Sequence, residues 1–240
     1  MLLGFTVFSF YVVLERMRSG YDWPTEPYWI VRGILWTLFT LSFAHYFGEF
    51  LYWILQPYAI FDLGFMGLWG IVPSFVLYQF IGYFLHRALH QIPLLWRIHQ
   101  HHHSSERLDI WSAYRVHPLE IPMYALLGLF TSSAVLGVSQ DAAWVTGVIL
   151  AVIQILQHTN IKTPQWLGYI VARPESHMLH HAREAHHSNY ADLALVDMIF
   201  GTFENPKEAP ELVGFGAGMS SNIGQFLRCE DVRSSIQSKV

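Results

Sequence analysis

The sequence predicts an all-α protein, an integral membrane helical bundle with a cytosolic, His-lined helical cap. Three observations predict it. Hydrophobic residues make up 52% of the 240 residues and charged residues only 13%, where soluble domains carry about 25% charge. Apolar stretches long enough to cross a bilayer recur along the chain. Between and after them, histidines recur at helical spacing. Mean hydropathy is +0.29. The net charge of −4 offers no basic surface for nucleic acid. Cys229 is the single cysteine, which excludes an internal disulfide and a Cys-based zinc site.

The first element is MLLGFTVFSFYVVLERMRSG, apolar for fourteen residues and then basic. A cleaved signal has its positive region first, so this order predicts a retained membrane helix with its N-terminus outside. Four longer spans follow, at 29–47, 64–85, 121–138 and 142–157. The stretch 47–63 is apolar and aromatic, but Glu49, Pro57 and Asp62 mark it as interfacial or re-entrant. Residues from about 204 to 240 turn polar and read as a surface tail, with some helix near 222–236. No internal repeat or linker divides the chain, so 1–240 is taken as one domain.

Positive charge sets the orientation. With the N-terminus outside, segments 15–28, 86–120 and 158–240 lie inside and hold thirteen of the 14 Lys and Arg. Arg32 sits in the first turn of the second span, on the same side. The outside segments 48–63 and 139–141 hold none. The positive-inside rule therefore places the inner side in the cytoplasm. The histidines follow the same partition, with only His45 inside a span.

Three clusters carry the chemistry. His86 and His90 stand at i, i+4 in HRALH; His99, His102 and His103 stand at i, i+3, i+4 in HQHHH; His177, His180 and His181 repeat that spacing in HMLHH. Each spacing puts rings on one helix face. His158, in QHTN, is a ninth candidate where the last span returns inside. A lone histidine is usually a hydrogen-bonded surface residue. Eight or nine convergent imidazoles without a metal would be poorly satisfied and mutually repulsive when protonated. Imidazole suits zinc, copper, iron and nickel, and this many nitrogens suit two ions with four or five each. Two redox-active irons are favoured over two zincs, because the ligand set is thiolate-free and the setting is lipid. A zinc hydrolase would carry the Glu of HExxH, which no box contains. A transporter would place its ligands near the bilayer midplane, whereas these lie outside the spans.

Beyond the boxes, LER (14–16), LLWRIHQHHHSSERLD (94–109), YRVHPLE (114–120), SNY (188–190) and DMIFGTF (197–203) complete a pattern. With HRALH, QHTN and HMLHH, it resembles the fatty acid hydroxylase/sterol desaturase superfamily of integral membrane di-iron enzymes, in its short bacterial form. The resemblance implies dioxygen-dependent hydroxylation, or alternatively desaturation, of unactivated C–H bonds in lipids. It implies two irons held by His86, His90, His99, His102, His103, His177, His180 and His181, with His158 added. Zinc can occupy the same ligands in purified protein. Ala191 stands where the family often has Gly and Val196 where it often has an aromatic residue.

A metal-bound histidine usually donates its other N–H to a carboxylate or carbonyl. Glu106, Asp109, Glu120 and Asp197 are candidates for that role, and Asn189 for holding a metal-bound water. His117, beside Pro118, is read as structural or substrate-facing. No haem or flavin motif is present, so electrons are expected from a separate ferredoxin or cytochrome with its reductase. His101, Arg107 and Arg97 are candidate docking residues. The expected location is a bacterial inner membrane, with the His boxes on the cytoplasmic side.

Overall fold

The computed structural model describes residues 2–55, 58–183 and 187–232. Among these there are helices and turns but no strands, only the isolated bridges Ser19–Ile161, Val171–Leu193 and Ala182–Val213. Three helical stretches are long and apolar enough to cross a membrane: Trp29–Ile54, Gly64–Gln91 and Gln140–His158.

Helix α1 (Leu2–Met17) buries Phe8 and Tyr11 against Ile110, Tyr114 and Ile155. Its last turn is pinned by Glu15, whose carboxylate accepts the backbone N–H groups of Ile110 (2.9 Å) and Asn160 (2.8 Å). Helix α2 (Trp29–Leu55) has 27 residues and is therefore about 40 Å long at 1.5 Å per residue. It runs past the predicted end at residue 47 and absorbs most of the stretch expected to be re-entrant. Nothing in 47–55 breaks a helix, since that stretch holds no proline; Pro57 lies outside the described residues.

At the far end of the bundle, residues 60–63 lie along the end of the next hairpin. The N–H groups of Ile60 and Phe61 donate to the carbonyls of Ala134 and Val135, both at 2.9 Å. Gly137 turns the chain there at φ 59°, and a Cβ on it would meet the Phe61 carbonyl oxygen at 2.2 Å. Only glycine tolerates both the angle and the contact.

Helix α3 (Ile71–Gln91) returns to the histidine end. Ile92 is extended at ψ 116°, and Pro93 opens helix α4 (Pro93–His103), a position where its missing N–H costs nothing. Helix α5 (Glu120–Leu129) continues through a π-helical turn, Phe130–Val135. Together they make an apolar helix of Glu120–Val135, shorter than the predicted span 121–138. The wider π turn and Gly137 end it early, where its last carbonyls serve residues 60–63. Helix α6 (Gln140–His158) is capped by Ser139, whose hydroxyl accepts the Ala142 N–H. Helices α7 (Pro174–His180), α8 (Ala194–Phe200) and α9 (Ile223–Leu227) form the cap.

The polar C-terminal region is not a loose tail. Phe215, Phe226 and Val232 are buried against Trp96 of α4. Gln100 donates to the Glu230 carbonyl at 2.5 Å and accepts the Val232 N–H at 3.2 Å. The buried Arg115 guanidinium reaches the Ser220 carbonyl. A few apolar anchors in a polar segment suffice to lay it over α4, and an average composition hides them. Of the expected helix near 222–236, α9 accounts for five residues, and 233–240 lie outside the described residues.

Candidate metal centre

The nine predicted ligands arrive at the same end of the bundle on four helices. His86 and His90 occupy the last turns of α3, and His99, His102 and His103 those of α4. His158 ends α6, while His177, His180 and His181 come from α7 and its C-cap. The structure gathers all nine into two groups whose nitrogens lie within 4.8 Å of one another. One group holds His86, His90, His99, His103 and His180; the other holds His102, His158, His177 and His181. The rings of His103 and His181 stack across the two groups, with centroids 4.0 Å apart.

The partition follows helix geometry. The pairs at i, i+4 (His86 and His90, His99 and His103, His177 and His181) each fall in one group. The residues at i+3, His102 and His180, cross to the other group. Adjacent residues on a helix point about 100° apart, so the last two rings of each HxxHH box face different centres.

Five of the rings are oriented by acceptors behind them. His86 Nδ1–H donates to the Tyr190 carbonyl (2.8 Å), His102 to Arg115 (3.3 Å), His158 to Gln154 (2.7 Å) and His180 to Ser188 (2.6 Å). His99 Nδ1–H donates to the buried Glu120 carboxylate (2.9 Å). A neutral ring has one proton, so these rings turn bare Nε2 lone pairs toward the centre. Yet Nε2 of His86 lies 3.2 Å from Nε2 of both His99 and His180, and Nε2 of His158 lies 3.2 Å from that of His102. Lone pairs held face to face cannot hydrogen-bond and repel unless a cation sits between them. Nitrogens each about 2.1 Å from one ion stand about 3.0–3.4 Å apart at tetrahedral or octahedral angles. The residues therefore fit two imidazole-bound metal ions. Burial, reinforced by the neighbouring rings, holds His102, His103, His177 and His181 well below the usual imidazole range. They are thus in the neutral form that ligates.

The candidates for supporting roles divide. Glu120 touches the His99 ring directly. Asp197 acts one step further out: it accepts the N–H groups of Tyr190 (2.8 Å) and Ala191 (2.9 Å) and the Thr202 hydroxyl (2.7 Å). It thereby fixes the loop whose Tyr190 carbonyl holds His86. Burial pushes its carboxyl up to about 6. Asn189, at φ 55°, donates to the Ser176 carbonyl and accepts the Glu204 N–H, a loop-forming role. Asp109 accepts from the Trp29 indole, the Trp111 N–H and Arg107, and Glu106 accepts the Ser220 N–H. Both tie the cap together and neither meets a ligand ring. His117 accepts the Leu119 N–H and lies 3.7 Å from Cys229 Sγ, outside both groups.

One further expectation changes. His101 is fully buried between Trp36 and Phe226, so it is no docking residue; Arg97 is exposed, and Arg107 is tied to Asp109 and the Pro24 carbonyl. His187 is exposed near Glu204, and His186 lies outside the described residues. Ala191 and Val196 are buried beside Tyr83 and Tyr190, where their departure from the family pattern is a matter of packing. Sequence reasoning missed the carbonyls of Tyr190, Ser188, Gln154 and Arg115, because a backbone acceptor leaves no side-chain signature.

Below the histidines a cavity of 540 Å³ runs between α2, α3, α5 and α6. His86, His99, His102, His158 and His177 line its head, and Leu38, Leu41, Leu129 and Leu150 line its shaft. His45 and Glu49 stand near its far mouth.

The family model for fatty acid hydroxylase matches residues 71–202, which include all nine gathered histidines. The chain belongs to the fatty acid hydroxylase family. Among curated relatives, it is 30% identical over 187 residues to human alkylglycerol monooxygenase, covering 75% of this chain and 40% of that protein. It is 32% identical over 143 residues to the ornithine lipid hydroxylase OlsE of Rhizobium tropici, covering 57% of this chain and 42% of that one. It is 28% identical over 156 residues to the very-long-chain aldehyde decarbonylase GL1-6 of Oryza sativa, covering 58% and 24%. This member of the family thus spans less than half the length of these relatives. No solved structure matches it.

Proposed function

We propose that this chain is a dioxygen-dependent di-iron lipid hydroxylase, fed with electrons by a separate redox protein. One observation carries the reading: ligand nitrogens of both histidine groups line the head of an apolar cavity inside the membrane bundle. Its volume suits a small amphiphile, since ligand pockets span about 300–1,000 Å³. Two irons bound there would supply dioxygen activation and the oxidising power to break an unactivated C–H bond.

The remaining roles fall to the chain. Tyr190, Ser188, Gln154, Arg115 and Glu120 fix the ring orientations, so the ligand set is preorganised. Trp96, Phe215 and Phe226 close the cap over α4 and keep bulk water from the centre. The aliphatic shaft aligns a hydrocarbon chain with its reacting carbon toward the histidines. Alkylglycerol monooxygenase and the ornithine lipid hydroxylase support oxygen insertion over desaturation. We assign the chain to a bacterial inner membrane with its His end on the cytoplasmic side, an orientation that the distribution of Lys and Arg supports.

The test is to express the chain with a ferredoxin and its reductase under isotope-labelled dioxygen and to profile the lipids. A lipid carrying one labelled oxygen, absent from a His102→Ala control, is the expected result. A product that only loses hydrogen would make the chain a desaturase. Unlabelled, hydrolysed lipid would overturn the reading in favour of a hydrolase.

A further inference from the structure

The cavity is not apolar throughout. Gln79 lies near the middle of α3, about 10 Å along the helix axis from His86. Gln157 precedes His158 on α6, and Asp192 dips in from the loop before α8. All three line the cavity. One Asp192 carboxylate oxygen accepts the Gln157 amide N–H at 2.8 Å and the other accepts that of Gln79 at 3.2 Å. Gln79 in turn accepts the Leu193 N–H at 3.0 Å, so the carboxylate is held by two helices.

A carboxylate offers about four acceptor positions, and the amides take two. Among the described residues no Lys or Arg pairs with Asp192. Asp192 is half-buried in the loop that forms part of the cavity wall, and a partly buried acid without a cation needs its hydrogen-bonding capacity met. Asp192 lines the same cavity as the histidine rings, so its remaining acceptor capacity is within reach of a bound ligand. From Gln157 to Trp144 the α6 wall then runs about 20 Å away from the centre, room for a tail.

We propose that Asp192, braced by Gln79 and Gln157, binds an O–H or N–H donor on the substrate close to the oxidised carbon. The preferred substrates are therefore amphiphiles bearing a hydroxyl or ammonium group beside the reacting C–H bond, with the hydrocarbon extending down the shaft. Bare acyl esters, which offer no donor, fit less well. The fate of the substrate rests on the hydroxylase reading; its binding does not.

The experiment uses the full chain, metal-loaded and without reductant, in nanodiscs. Displacement of a fluorescent alkyl probe is measured for a long-chain alcohol, the matching primary amine and the matching methyl ester. Partition into empty nanodiscs is subtracted. The alcohol or the amine should displace the probe at about one tenth of the ester concentration, the effect of one charge-assisted hydrogen bond. Asp192→Leu should abolish both preferences, while Asp192→Asn, which keeps an acceptor but no charge, should abolish only that for the amine. Metal content and melting temperature identify a variant that has merely misfolded. Equal displacement by all three compounds in the wild type overturns the proposal whatever the variants do, as does a preference that survives in a folded Asp192→Leu. A preference without any oxygenated product would sink the hydroxylase reading and leave this site standing. An oxygenated product without a preference would do the reverse.

Discussion

Glu120 shows how much one residue can govern here. Its carboxylate is the one side-chain acceptor behind a ligand ring among the described contacts, at 2.9 Å from His99. Losing such a partner costs about 10–100-fold in metal affinity or activity. Glu120→Ala should therefore release iron to a competing chelator at a correspondingly lower chelator concentration, and Glu120→Gln, which still accepts a hydrogen bond, should lose less. Acid should act on the same rings. Burial holds His102, His103, His177 and His181 below their ordinary value of 6.5. The unfolded chain then binds more protons than the folded one as the pH falls through that value. Stability is fully present above it and is lost on acidification. Thermal-shift measurements in detergent should show a plateau above neutral pH and a fall below; a rise on acidification would refute this. The nine rings were legible because i, i+3 and i+4 spacing survives in any helix. Their division between two centres was not, because it depends on the α7 and α4 boxes facing each other, which only packing decides. Asp192 was invisible for the same reason: an acid after SNY looks like a loop acid until Gln79 and Gln157 close on it.

Among the helices that carry the histidines, α7 is the least able to stand alone. Its seven residues are too few to be stable without packing, yet it carries two of the rings, with a third at its cap. It is held by Arg173, fully buried, which pairs with Glu175 at 2.8 Å and donates to Asn205 (2.7 Å) and the Thr163 carbonyl (3.0 Å). Arg173→Met would leave Glu175 a buried, uncompensated charge, at a cost of about 3–5 kcal/mol. Its melting temperature and its iron content should fall together; an unchanged melting temperature would show that α7 is anchored elsewhere. Hydropathy located α2, α3 and α6, whose apolar runs are long. It misjudged the ends of α2 and α5, because residues 47–55 are as compatible with helix as with an interfacial loop. The last carbonyls of α5 and its π turn are taken by residues 60–63, distant in sequence, which hydropathy does not register.

For the molecule as a whole, alternating helices bring every histidine box to one end and leave residues 58–70 and 130–140 at the other. Cys229 lies at the histidine end, beside His117, and Phe61, at the opposite end, is exposed. An impermeant maleimide should label Cys229 in inverted vesicles but not in intact spheroplasts. A Phe61→Cys chain lacking Cys229 should show the opposite, and the reverse pattern would invert the orientation drawn from Lys and Arg. The sequence displayed this polarity openly, since charge and histidine counts per segment need no structure. It concealed the closing of the cap by residues 213–232, because a few buried apolar side chains scarcely alter a polar average.

We propose that the nine rings hold two irons in separate groups. The most direct measurement is iron per chain, by elemental analysis with Mössbauer spectroscopy, in the wild type, His86→Ala and His177→Ala. Two irons per wild-type chain, with each variant losing signal from a different site, is the predicted result. A single iron, or two zincs that iron cannot replace with any gain of dioxygen consumption, would contradict it.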